Sequence, residues 1–186
     1  MRPDYPEAWN NLGMLAAQKG SNDEAIRDFQ QSLQLRPAYA IAALNLGNVY
    51  RRQENLDEAE RFLKQAYAAE PTNPEVNYSI GMLDAHRGQT DLAVQSLEKA
   101  ISFRPDYSEA LNNLGVLFVQ NRRYTEAEEK FKTCIQRTPD FDQAYLNLAR
   151  LYMVSNEKEK ARTILQALLE KQPQHKMAQQ MLQMLY

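Results

Sequence analysis

Apolar residues recur along this chain in paired runs at helical spacing. Leu111, Leu114, Leu117 and Phe118 form one stripe, and Ala127, Phe131, Cys134 and Ile135 form the next. Offsets of three, four and seven put each set on one face of a helix. A short polar turn divides the two runs. It reads Gln120-Asn121-Arg122-Arg123 here, Lys19-Gly20-Ser21-Asn22 earlier, and Arg87-Gly88-Gln89-Thr90 between them. The spacing predicts two helices joined by a tight turn, and then the pattern starts again.

The restart has a fixed period. Pro3, Pro37, Pro71, Pro105, Pro139 and Pro173 each lie 34 residues from the next. Gly13, Gly47, Gly81 and Gly115 share one phase, Gly20 and Gly88 a second, Pro6 and Pro74 a third. Asn11-Leu12-Gly13 returns as Asn45-Leu46-Gly47 and Asn113-Leu114-Gly115, with Ser79-Ile80-Gly81 in phase and Asn147-Leu148-Ala149 closing the series. A period of this length decides the fold before anything else does. It predicts an all-α solenoid of five helix-turn-helix units, at about 4–37, 38–71, 72–105, 106–139 and 140–173. A last helix, about 174–186 and beginning near Lys176, carries Leu182 and Leu185 inward as a cap. Residues 1–186 are expected to form one array rather than separate domains.

Local chemistry supports the boundaries. Asp23, Asp57, Asp91 and Thr125 stand two residues before the first alanine of each second helix and are expected to be its N-caps. Glu159 holds that place in the fifth unit, where its charge suits the helix dipole. The recurring proline stops each second helix, because its ring clashes with the preceding turn. Glycine within a helix is about 0.5–1 kcal/mol worse than alanine. Its recurrence after Leu implies a close crossing against the small residues Ala25, Ala59, Ala93, Ala127 and Ala161. Ala149 is expected to loosen the fifth crossing slightly.

These residues resemble the tetratricopeptide repeat, whose pattern runs Trp-x2-Leu-Gly-x2-Tyr, then Ala-x3-Phe, then Pro. The first unit reads Trp9, Leu12, Gly13, Ala25, Phe29, Pro37, and the second Leu46, Gly47, Tyr50, Ala59, Leu63, Pro71. The match runs through essentially the whole chain. The array is also similar to the repeats of O-linked N-acetylglucosamine transferase and of bacterial members of the family. The resemblance implies a right-handed superhelix whose first helices line a concave groove where protein or peptide partners lie. It implies no particular partner, because this fold carries many functions.

In such a groove Asn11, Asn45, Asn113 and Asn147 would form a ladder, interrupted at Ser79. A side-chain amide can both donate to and accept from a peptide bond, so the ladder could hold an extended peptide. Asparagine is also simply common at this place in the family, and both readings stand. Other groove-facing places hold Met14, Leu44, Asn48, Tyr78 and Met82 in the first half of the chain. In the second half they hold Val116, Val119, Leu146, Arg150 and Met153. Met177, Met181 and Met184 continue that face on the last helix. Methionine adapts to irregular partners, and contiguous apolar surface marks an interaction site. The alternative is that these methionines merely pack the chain end. Arg51, Arg52 and Arg150 are the concave basic groups and could select an acidic side chain. The lysine and arginine pairs with which chaperone-binding members clamp a C-terminal carboxylate are missing: the matching places hold Asn10, Met14, Asn45, Glu75 and Ser79.

Composition narrows the partner class. Net charge is −2 and the pI near 5.8, which disfavours nucleic acid. No run of 18 apolar residues spans a membrane. One cysteine forms no intrachain disulfide and leaves the compartment undetermined. The compartment defaults to the cytoplasm, with an extracellular parent kept open. No catalytic motif, metal-ligand spacing or cofactor loop is present. His86 and His175 lie on different elements, and Cys134 sits at a core place matching Ala66 and Ala100. Asn77-Tyr78-Ser79 matches a glycosylation acceptor but falls inside a predicted helix. Arg2-Pro3-Asp4-Tyr5 repeats at Arg104-Pro105-Asp106-Tyr107, which suggests a segment of a longer protein with array ends exposed to self-association. The reading is therefore a non-catalytic interaction scaffold. A substrate-presenting part of a larger enzyme such as a glycosyltransferase, or a structural or self-assembling element, is the alternative.

Overall fold

The computed structural model describes residues 5–185, so Pro3, Asp4 and Tyr186 of the sequence pattern lie outside it. Eleven α-helices and no strands are found among these residues. The chain divides into two compact units, Met1–Phe103 and Arg104–Tyr186.

The first unit holds α1 (Pro6–Gln18), α2 (Asn22–Leu35), α3 (Ala40–Arg52), α4 (Leu56–Ala69), α5 (Pro74–His86) and α6 (Thr90–Phe103). The second holds α7 (Ser108–Gln120), α8 (Tyr124–Arg137), α9 (Asp142–Val154), α10 (Lys158–Lys171) and α11 (Lys176–Gln183). Within each unit every helix packs on its chain neighbours, and first helices of adjacent pairs also touch: α1 on α3, α3 on α5, and α7 on α9.

The helix ends explain the periodic residues. Pro6 and Pro74 occupy the first turn of α1 and α5, where a missing N–H costs nothing. Every second helix ends two residues before its proline. The turn within each pair contains one left-handed residue: Gly20 (φ 79°), Glu54 (62°), Gly88 (73°), Arg122 (59°) and Asn156 (60°). Glycine pays no steric cost there, which accounts for Gly20 and Gly88. The other three show that the turn is enforced without it.

The caps differ from expectation. The second helices begin before Asp23, Asp57, Asp91 and Thr125, so those residues lie within the first turn. Glu159 likewise lies inside α10. Asn55 caps α4 instead, accepting from the Glu58 amide at 3.4 Å. The acidic side chains still oppose the positive helix end. Among first helices, Asn73 caps α5, accepting from the amides of Glu75 (2.9 Å) and Val76 (3.2 Å). His175 Nδ1 accepts from the Ala178 amide at 3.2 Å on α11.

The helix glycines mark close crossings, with a difference in what they meet. A Cβ on Gly47 would lie 3.2 Å from the Ala59 carbonyl oxygen but 2.8 Å from Leu63 Cγ. On Gly115 it would lie 2.6 Å from the Phe131 ring. The alanines let the backbones approach, and the large residue one turn later fills the space that glycine leaves. Phe29, Leu63, Leu97, Phe131 and Leu165 occupy this place and are all buried.

Two further contacts recur. Ser32 Oγ donates to the Pro6 carbonyl at 2.8 Å, and Cys134 Sγ lies 3.5 Å from the equivalent Ser108 carbonyl, tying each second helix to the start of its own first helix. The carbonyls of the five periodic prolines among the described residues all accept from a side chain further along the chain. Gln65 serves Pro37 and Arg137 serves Pro105. Asn77, Tyr145 and Gln179, three equivalent positions, serve Pro71 (2.9 Å), Pro139 (3.1 Å) and Pro173 (2.7 Å). The prolines themselves are exposed, so these bonds tie each inter-repeat turn to the following helices rather than rescue a buried group.

Candidate functional site

The first helices place the candidate groove residues, and each unit presents its own set. In the first unit Asn11 and Met14 are exposed on α1, while Asn45, Asn48, Tyr78 and Met82 are partly buried on α3 and α5. In the second, Asn113, Val116, Val119, Asn147 and Met153 are partly buried and Arg150 is exposed.

The asparagines bond sideways. Asn45 Nδ2 donates to Asn10 Oδ1 at 3.0 Å, and Asn147 Nδ2 donates to Asn112 Oδ1 at 2.9 Å. Asn10 and Asn112 are buried. They stand at the place that Leu44, Tyr78 and Leu146 fill in other repeats; the sequence reading names Asn10 only as a place without a clamp residue and does not include Asn112. The doublets Asn10-Asn11 and Asn112-Asn113, with an amide at an otherwise apolar place, were the available signal. At Ser79 the ladder is joined differently: Asn48 Nδ2 donates to Ser79 Oγ at 3.1 Å. Asn147 Oδ1 accepts from Arg150 Nη1 and Gln143 Nε2, both at 3.1 Å.

Three expected lining residues are not available to a ligand. Leu44 and Leu146 are buried because first helices pack against one another. Met181 is only 5% exposed, since α11 turns it inward together with Ala178 and Leu185. Met184, at 74%, and Met177 are the exposed methionines of that helix. The face of α11 was misjudged because 3.6-residue periodicity over one short helix does not fix which stripe meets α10.

Arg51 is a half-buried cation of this face. Its Nε is buried with no hydrogen-bond partner, as is Asn48 Oδ1 one turn earlier. Burial, the largest influence, pushes the Arg51 pKa below the usual arginine value, and the neighbouring Tyr78 opposes this.

Little here is arranged for chemistry. Burial pushes the Cys134 thiol above its ordinary value, unlike an activated nucleophile. His86 Nε2 lies 2.9 Å from Glu54, and His175 Nε2 lies 3.6 Å from Asp142. No group of three or more His, Cys, Asp or Glu that could hold a metal is found among the described residues. No described helix is long and apolar enough to cross a membrane. Asn77 is buried, its Nδ2 donating to the Pro71 and Asn73 carbonyls, so the apparent glycosylation acceptor is a structural residue.

Family models described as tetratricopeptide repeat match residues 51–115 and 118–185, and a second such model matches 4–70. No curated protein matches the sequence. Among solved structures, the chain is similar to the MamA protein at 24% identity, covering 90% of this chain and 92% of that one, with a TM-score of 0.74. It is similar to YrrB, described as a tetratricopeptide repeat protein with an unusual peptide-binding site (24% identity, 92% and 89% covered, TM-score 0.68). It is also similar to pilF of Pseudomonas aeruginosa (22%, 89% and 75% covered, TM-score 0.82). At these identities the likeness is one of fold. Family models, fold and period agree: the chain belongs to the tetratricopeptide repeat family, whose stacked repeats serve as protein-interaction scaffolds.

Proposed function

We propose that this chain is a non-catalytic scaffold that holds an extended peptide segment against its first helices. The observation that carries the reading is the row of side-chain amides on adjacent first helices. Asn45 and Asn147 are held by their partners one repeat earlier, so each amide is oriented before a ligand arrives. An amide fixed in place loses less entropy when it bonds a peptide backbone. The apolar residues beside them, Tyr78 and Met82 in the first unit and Val116 and Met153 in the second, would contact the side chains of a segment lying on that unit.

Peptides selected from a random display library supply the probe. An Asn45→Ala, Asn113→Ala double variant is expected to bind a selected peptide roughly tenfold more weakly, the loss of one or two net hydrogen bonds. Unchanged affinity with an intact circular dichroism spectrum would reject the amide row as the binding element.

Self-association through α1 is a second reading with its own support. Leu12 and Leu15 are 42% and 52% exposed, whereas the equivalent Leu46 and Leu148, and Val49, Leu83 and Leu151, are buried. In those repeats the preceding second helix packs on the first helix. A second copy would cover the same face of α1. Light scattering should show a mass that rises with concentration, and a Leu12→Lys, Leu15→Lys variant should remain a monomer throughout. A wild-type chain that is monomeric at every concentration rules this reading out.

A further inference from the structure

Asn48 Oδ1 and Arg51 Nε are buried polar atoms without a hydrogen-bond partner, and they lie three residues apart on α3. Residues at that spacing share a helix face. The face points toward α5: Asn48 Nδ2 is already committed to Ser79 Oγ, and Tyr78 is a charge neighbour of Arg51.

Other arginines show what is unusual. Arg162 also has a buried, unpartnered Nε, but its Nη1 donates to Glu159 at 2.5 Å. Arg87 donates to Glu60, to Asp57 Oδ1 at 2.9 Å and to the Leu56 carbonyl at 3.1 Å. No ion pair joins Arg51 to a carboxylate among the described residues. Arg51 is half-buried, and a buried donor such as its Nε is ordinarily satisfied by protein, water or a bound group.

We infer that the seam between α3 and α5 recognises a carboxylate on a bound peptide. This rests on the reading that the first helices face a peptide. The Arg51 guanidinium pairs with an aspartate or glutamate side chain, for which its planar fork is suited. Asn48, its amide nitrogen fixed by Ser79, flanks the guanidinium on the same helix face. Arg52 and Glu54 act on the Arg51 charge in opposite senses.

The probes are library-selected peptides, each made also with its acidic residues changed to the amide. Against the full chain, the acidic form should bind roughly tenfold or more tightly than its amide form, the range for a charge-assisted hydrogen bond. Arg51→Gln should abolish that preference, and Arg51→Lys should restore only part of it. The amide form should bind wild type and Arg51→Gln alike. Equal binding of the two forms by wild type, or an acidic preference that survives Arg51→Gln, overturns the carboxylate site and leaves peptide binding standing. A phosphopeptide preferred over its carboxylate counterpart overturns the choice of carboxylate. If no peptide binds the folded chain, both this site and the proposed function fall.

Discussion

Phe131→Ala should destabilise the second unit by about 3–5 kcal/mol, the usual cost of emptying a buried aromatic site. The ring is buried and seated on Gly115, where an added Cβ would lie only 2.6 Å from it. Gly115→Ala alone should therefore cost about 1–3 kcal/mol by overpacking, even though alanine ordinarily gains about 0.5–1 kcal/mol over glycine in a helix. With Phe131 removed the contact with the ring is gone. In that background Gly115→Ala should become stabilising, so its sign reverses. Denaturant midpoints of the four proteins in a double-mutant cycle measure this coupling. Additive effects would mean that the ring is not what excludes a side chain from residue 115.

Asn77→Ala should cost about 1–3 kcal/mol, for a different reason. The side chain is buried and its Nδ2 donates to two backbone carbonyls, Pro71 at 2.9 Å and Asn73 at 2.8 Å. Alanine leaves the Pro71 carbonyl with water as its only alternative, while the Asn73 carbonyl keeps the Asn77 backbone amide at 3.2 Å, at a turn that also contains the Asn73 cap. Ala43 holds the same position harmlessly because Gln65 serves the Pro37 carbonyl at 2.7 Å. Gln65→Ala, at a more accessible position, should cost less than half as much in the same denaturation experiment. Equal costs would show that burial of the donor is not what matters.

The fold was readable in the sequence because its determinants are local and repeated. Proline two residues past a helix, a left-handed turn residue and a three-four apolar spacing each act within a few residues, and the period shows them side by side. What the glycines meet was less readable. Their partner Phe131 or Leu63 lies sixteen residues away, and the alanine four residues nearer is the more conspicuous pattern. The candidate site was least readable. Whether Asn45 faces a ligand or a neighbour depends on Asn10, one helix pair earlier, at a place where Leu44, Tyr78 and Leu146 give no warning. Met181 was misplaced because α11 is too short for its period to choose a face. The partial burial of Arg51 arises from packing between helices, so nothing in the residues around it on α3 announces it.

The proline carbonyls have a consequence for how such a chain is made. Every donor that satisfies one lies toward the C-terminus, six residues on for Asn77, Tyr145 and Gln179, and 28 or 32 residues on for Gln65 and Arg137. During synthesis, therefore, each inter-repeat turn stays incomplete until the following repeat has emerged, and ordering proceeds in one direction along the nascent chain. The same dependence bears on gene duplication: a copied repeat ending at its proline regains this tie only in front of a segment that brings its own donor.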